Sequence, residues 1–170
     1  MTGPHHMPTA DDTPLQDLPD VDAMARTCLG LSVRRTSNLI TRHYNAHLAS
    51  AGLEVTQFSL LAGIASRNPA SLGDLASFLS IDRSTLTRNL KPLQAAGLIV
   101  MAPGAGRRQL PALTDAGRAA LFAAAAAWQT AQGSLLAELG PDDTGAVRAG
   151  LKRLRDALRA LSAAFPARPE

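Results

Sequence analysis

The run SLGDLASFLSIDRSTLTRNLKPLQAAGLIV, residues 71–100, decides how the rest of the chain is read. Ser71, with Asp74 three residues on, starts a helix in the manner of a capping box. Leu72, Leu75, Ala76 and Leu79 lay an apolar stripe along it. After a brief turn at Ser80-Ile81, Asp82 is a good N-cap for a second helix running to Ala96, and Gly97 is its C-terminal stop. At about 100° per residue, Leu86, Leu90 and Leu93 share one side of that helix. Arg83, Ser84, Thr87, Arg88 and Lys91 gather on another. This second face holds three cations and two hydroxyls, with its only acid at the cap. It can place donors on base edges and phosphates in a major groove. An ordinary solvated helix face is the plain alternative, but most surface helices mix both signs of charge.

Downstream the texture changes. Leu98-Ile99-Val100-Met101 is a short strand candidate, Pro103-Gly104-Ala105-Gly106 a turn or loop, and Gln109 to Leu113 a second strand. Thr114 caps a long Ala-rich helix over about 115–138, which Gly140-Pro141 breaks. Asp142 or Asp143 starts a last helix, where Leu151, Leu154, Leu158 and Leu161 form a seam suited to a partner helix.

Upstream, a long helix is expected from near Val21 to about Ala49, with Leu29, Val33, Ile40, Tyr44 and Leu48 at roughly helical spacing and Gly52 as a stop. Thr56 reads as the N-cap of a short helix carrying Phe58, Leu60, Leu61 and Ile64, closed by Asn68-Pro69. Residues 1–20, with Pro4, Pro8, Pro14 and Pro19 among acidic and small residues, read as a disordered tail. Three short helices and then a hairpin with a Gly-rich tip is the order of a winged helix-turn-helix. The fold class is mainly α, with long flanking helices forming a dimerisation module. The expected organisation is a tail at 1–20, a dimerisation helix at 21–54, a DNA-binding lobe at 55–113 and C-terminal dimerisation helices at 114–165.

Composition agrees without deciding. The 170 residues are 46% hydrophobic, enough for a core, and only 4% aromatic. The net charge is +3, yet acids crowd the first 22 positions (Asp11, Asp12, Asp17, Asp20, Asp22), so the remainder is more basic than the total. Lys occurs only at positions 91 and 152, and Arg carries the rest of the positive charge. A guanidinium binds phosphate or guanine through two bonds at once, although a GC-rich genome gives the same bias. No apolar run approaches the roughly 20 residues of a membrane span, and the expected location is the cytoplasm.

The segment 71–100, together with Leu113-Thr114-Asp115-Ala116-Gly117, resembles the core signature of the MarR (multiple antibiotic resistance regulator) family, whose wing ends in L-T-x-x-G. The likeness extends in helix order over roughly residues 25–162. It implies a bacterial homodimer whose two recognition helices enter successive major grooves of a pseudo-palindromic operator on double-stranded DNA. By position, Ser84, Thr85, Thr87, Arg88 and Lys91 would be contacts, with Arg83 at the helix start and Ser71 where the preceding helix touches phosphate. Two departures stand out. Pro92 lies inside the recognition helix, where it removes a backbone hydrogen bond and favours a bend near Arg88. The wing's usual Asp-x-Arg is Ala105 and Arg107 here, so the arginine resembling the minor-groove reader lacks its acidic brace, and Arg108 can share its role.

Other chemistry is weaker. His43 and His47 are four apart, but without a third ligand they make no convincing metal site, and no cofactor is implied. Catalytic constellations and phosphate-binding Gly loops are absent, so an enzyme is not expected. Cys28, near the start of the first helix, reads more readily as a small buried core residue than as an oxidant sensor, though some relatives sense oxidants there. Arg42, His43 and Tyr44, with Trp128 across the interface, are the candidate site for a small aromatic or anionic effector; interface and surface ion pairing is the equal alternative. The expected function is a ligand-responsive repressor. Two rivals remain at this level: a helical interaction protein whose basic face binds an acidic partner, and a regulator switched by oxidation at Cys28.

Overall fold

The computed structural model describes residues 20–67, 69–104 and 108–164. The tail over 1–19 and Arg107 lie outside the described residues. Asp20 accepts from the Ala23 N–H at 2.8 Å and so caps α1 (Val21–Thr27). The single helix expected over this region is in fact two. Cys28, at ψ 107°, ends α1, and α2 (Leu29–Leu48) follows at once. The break needs little compensation because Cys28 serves both ends. Its N–H donates to the Met24 carbonyl, its carbonyl accepts from Ser32, and its Sγ accepts from the Leu31 N–H at 3.3 Å. Contrary to the sequence reading, this thiol is exposed. Leu29, Leu31, Val33, Leu39 and Ile40 are exposed as well.

From Thr41 onward the chain builds one core. α2 ends in a 3-10 turn (Ala49–Ala51) and Gly52, whose φ of +67° is the left-handed conformation a helix stop requires. α3 (Val55–Arg67) starts one residue before Thr56, which therefore is not its cap. The cap comes from elsewhere: Asn45 Oδ1 accepts from the Val55 N–H at 2.7 Å, and Gln57 Oε1 from the Glu54 N–H. A donor pair ten residues apart leaves no local signal.

α4 (Leu72–Leu79) and α5 (Arg83–Ala95) keep the expected limits and caps. Between them Ser80 takes φ +56°, closing the tight turn that sets the two helices against each other. α5 runs unbroken past Pro92. Leu75, Leu86 and Leu93 are fully buried against Leu60 and Leu61 of α3. Gly97, at φ +68°, turns the chain out of α5, and the Leu98 N–H returns to the Leu93 carbonyl. β1 (Ile99–Pro103) and β2 (Gln109–Leu113) pair antiparallel with Ile99 opposite Leu113. Pro103, expected in the loop, belongs to the strand.

The hairpin is fastened at its base. Thr114 Oγ1 donates to the Gly97 carbonyl and accepts from the Gly117 N–H, while the Thr114 N–H reaches the Leu98 carbonyl at 3.1 Å. This explains the L-T-x-x-G spacing: the cap of one helix is bonded to the stop of another. α6 (Asp115–Ala164) is interrupted at Gly140, whose φ of +73° and ψ of 169° separate 115–139 from 141–164. Ala124 and Ala131 of the first half are fully buried. Val147, Leu151, Leu158 and Leu161 of the second half are exposed.

Candidate nucleic-acid interface

Burial of Leu86, Leu90 and Leu93 fixes which way α5 faces, because the opposite side can only point outward. That side carries Arg83, Ser84, Thr87, Arg88 and Lys91, all exposed, with Thr85 half-buried at the edge. The structure thus gathers the expected residues on one face. None of these cations is in an ion pair among the described residues.

The N-terminal turn of α5 is more ordered than a solvated face requires. Asp82 Oδ1 accepts from the Thr85 N–H at 2.7 Å and from Ser84 Oγ at 2.5 Å, and Asp82 Oδ2 accepts from Thr85 Oγ1 at 2.6 Å. Arg88 Nη2 in turn donates to Thr85 Oγ1 at 3.1 Å. The Ser84 and Thr85 hydroxyls hold the Asp82 carboxyl well below the usual carboxylate range, with the Thr85 N–H adding to the effect. Thr87 Oγ1 donates back to the Arg83 carbonyl. Sequence reading treated these hydroxyls as free donors and Asp82 as a cap only. The Ser and Thr at two and three residues after the aspartate were the signal for more.

Ser71 caps α4 by accepting from the Asp74 N–H at 3.0 Å, which leaves its hydroxyl proton available. A cleft of about 630 Å³ opens beside it, lined by Ser71, Gly73, Arg83, Met101, Arg108 and Gln109 among others. Three separate elements therefore bring Ser71, Arg83 and Arg108 to one concavity. A helix N-terminus with two guanidinium groups suits a phosphate of the nucleic-acid backbone.

The expected effector residues are not gathered in this way. His43 Nε2 lies 2.8 Å from the Ala131 carbonyl, and the Tyr44 hydroxyl donates to Gln132 Oε1, so both fasten α2 to α6. Burial pushes the Tyr44 phenol up. Arg42 is exposed, and Trp128 stacks on Phe58 at 6.0 Å between ring centroids. His47 Nδ1 meets the His43 carbonyl, and no group of three metal-ligating side chains exists among the described residues. An apolar cavity of about 560 Å³ lies elsewhere, lined by Phe58, Ile64, Pro111, Leu121, Phe122 and Arg118 among others. Its walls come from α3, β2 and α6, separations of about 50 residues that no sequence motif marks. Arg118, its cation, donates to the Leu113 carbonyl and pairs with Asp115. No single helix among the described residues is long and apolar enough to cross a membrane.

Comparison with known proteins agrees with this geometry. The family model described as MarR family matches residues 51–108. The transcriptional regulator MosR of M. tuberculosis, solved in complex with DNA, is 34% identical with a TM-score of 0.72, covering 79% of this chain and 98% of that one. A second MosR structure is 32% identical, with a TM-score of 0.70 over 80% and 98% of the two chains. The transcriptional repressor CouR bound to p-coumaroyl-CoA is 25% identical, TM-score 0.69, over 78% and 94%. A search of curated proteins found no match.

Proposed function

The chain belongs to the MarR family of transcriptional regulators, and we propose that it acts as a homodimeric repressor of the bacterial cytoplasm that a small ligand releases from DNA. The α5 face is the observation that carries this reading. It presents Arg83, Arg88 and Lys91 without an acidic neighbour beyond the cap, beside a cleft that adds Arg108 and Ser71. In this reading Arg88 and Lys91 with Ser84, Thr85 and Thr87 enter the major groove. Ser71, Arg83 and Arg108 hold phosphate, and Arg107 is assigned to the minor groove. The protein works by binding rather than by catalysis.

A second copy is supported by the apolar side chains left exposed on α2 and on the second half of α6, within the proposed dimerisation segments 21–54 and 114–165. Two α5 faces would then meet half-sites about one helical turn apart, ~10 bp. For the effector we favour the cavity beside Phe58 and Phe122 over the Arg42, His43 and Tyr44 set. Those latter groups, apart from Arg42, already serve the α2–α6 junction. An aromatic or acyl anion fits its apolar walls and the one guanidinium at its edge. The experiment is binding of the chain to its own promoter DNA and to sheared DNA across a salt series. Affinity should fall steeply with salt and stay higher for the promoter. Absence of any binding at low salt would overturn the reading.

A further inference from the structure

The three hydroxyls at the start of α5 have their protons committed inside the chain. Ser84 and Thr85 donate to the two oxygens of Asp82, and Thr87 donates to the Arg83 carbonyl. A hydroxyl has one proton and two lone pairs, so what these groups offer outward is acceptor capacity alone. Thr85 directs a lone pair to Arg88 Nη2. Ser84 and Thr87 are exposed and have no other side-chain partner among the described residues.

We propose that Asp82 fixes the hydrogen-bond polarity of the recognition face, making Ser84 an acceptor toward a base amino group and Thr85 the anchor that aims Arg88. The inference rests on the DNA-binding reading and adds what that face reads. In the major groove the amino donors are adenine N6 and cytosine N4, so Ser84 selects an adenine or cytosine and disfavours the keto edges of guanine and thymine. Arg88, with one donor tied to Thr85, keeps its others for the O6 and N7 of guanine. Asp82 and Thr85 are positioning residues: neither need touch a base. The carboxylate accepts three bonds in the free chain, so the arrangement exists before DNA arrives and costs little ordering on binding.

The test is a selection from duplexes randomised across the half-site, run with the full chain and with Ser84→Ala, Asp82→Asn, Thr85→Val and Thr85→Ser. Ser84→Ala identifies the position that this side chain reads. Asparagine is as good an N-cap as aspartate; its one oxygen stays on the Thr85 N–H and Ser84 Oγ, and its NH2 takes the place of Oδ2, so the Thr85 hydroxyl must reverse. Asp82→Asn is then expected to weaken the hold of Thr85 on Arg88 and lower the preference for guanine, as Thr85→Val does, while the adenine or cytosine preference at the Ser84 position stays. Thr85→Val keeps the side-chain shape and should lower the preference for guanine elsewhere in the half-site about tenfold. Thr85→Ser should restore it, and the salt dependence should stay as in the wild type. Unchanged base preferences in Asp82→Asn and Thr85→Val, with both folded by circular dichroism, would overturn the proposal. So would an equal loss of affinity for every sequence, which is the mark of a cap alone. A wild-type chain that selects no sequence defeats the DNA-binding reading itself, an outcome distinct from either.

Discussion

Gly117 stands against Leu98 so closely that a Cβ on it would lie 1.9 Å from the Leu98 carbonyl oxygen. That oxygen also accepts from the Thr114 N–H, so it cannot yield without releasing the hairpin. The first turn of α6 and the exit of α5 are thereby locked together, and the cation-bearing face is held relative to the wing.

Gly117→Ala should therefore destabilise the chain by about 2–3 kcal/mol, the scale of forced overpacking. Thr114→Ala, which loses a cap and the bond to Gly97, should cost about 1 kcal/mol. Urea denaturation followed by circular dichroism measures both. Equal stability of Gly117→Ala and wild type would mean that the contact is relaxed in solution.

Arg88→Ala and Arg108→Ala should separate two kinds of contact. Loss of Arg88 is expected to weaken binding to the promoter site by roughly 1–3 kcal/mol and to relax its preference over mismatched sites. Loss of Arg108 should weaken all sequences alike and lower the salt slope by about one. Competition binding at several salt concentrations distinguishes these outcomes, and identical behaviour of the two variants would refute the assignment.

Asp82 gives the fold an acid dependence. Its carboxyl is lowered in the folded state, so its contribution is complete above the unfolded value of about 4 and is lost as pH falls below it toward the folded value. Asp82→Asn should flatten stability against pH in that acid range and leave neutral pH unaffected by titration. A urea midpoint measured from pH 5 downward in both proteins is the check.

Tyr44 is the sole tyrosine, so phenolate absorbance reports it alone. Burial raises its phenol above its ordinary value of 10.0, and the contribution of the neutral form is present below that value and lost as pH rises through the folded one. Titration should begin later in native than in urea-unfolded protein. Tyr44→Phe, which removes the bond to Gln132, should cost about 1 kcal/mol.

Trp128 is likewise the sole tryptophan and stacks on Phe58, a wall of the apolar cavity. Aromatic acids that enter this cavity should change Trp128 emission and lower promoter affinity together. Phe122→Asp, at a cavity residue that is 86% exposed, should abolish both responses while leaving DNA binding intact. A ligand that still acts on that variant binds somewhere else.

Much of this was legible in the chain because it is written in local chemistry. Ser71 and Asp82 as caps, Gly52, Gly97 and Gly140 as stops, and the 3.6-residue spacing of Leu86, Leu90 and Leu93 each act within a turn or two. They settled the order of elements and the side of α5 that faces out. Only the tertiary structure decided the rest, because those interactions join residues far apart or compete with local preference. Asn45 rather than Thr56 starts α3 through a bond ten residues long. His43 and Tyr44, which read as ligand groups, are satisfied by α6 some 88 residues away. The apolar cavity exists only where α3, β2 and α6 converge. Sequence put the cations and hydroxyls on one helix face; the folded Asp82 turn directed the Ser84 and Thr85 protons inward, so that those hydroxyls can only receive one from outside.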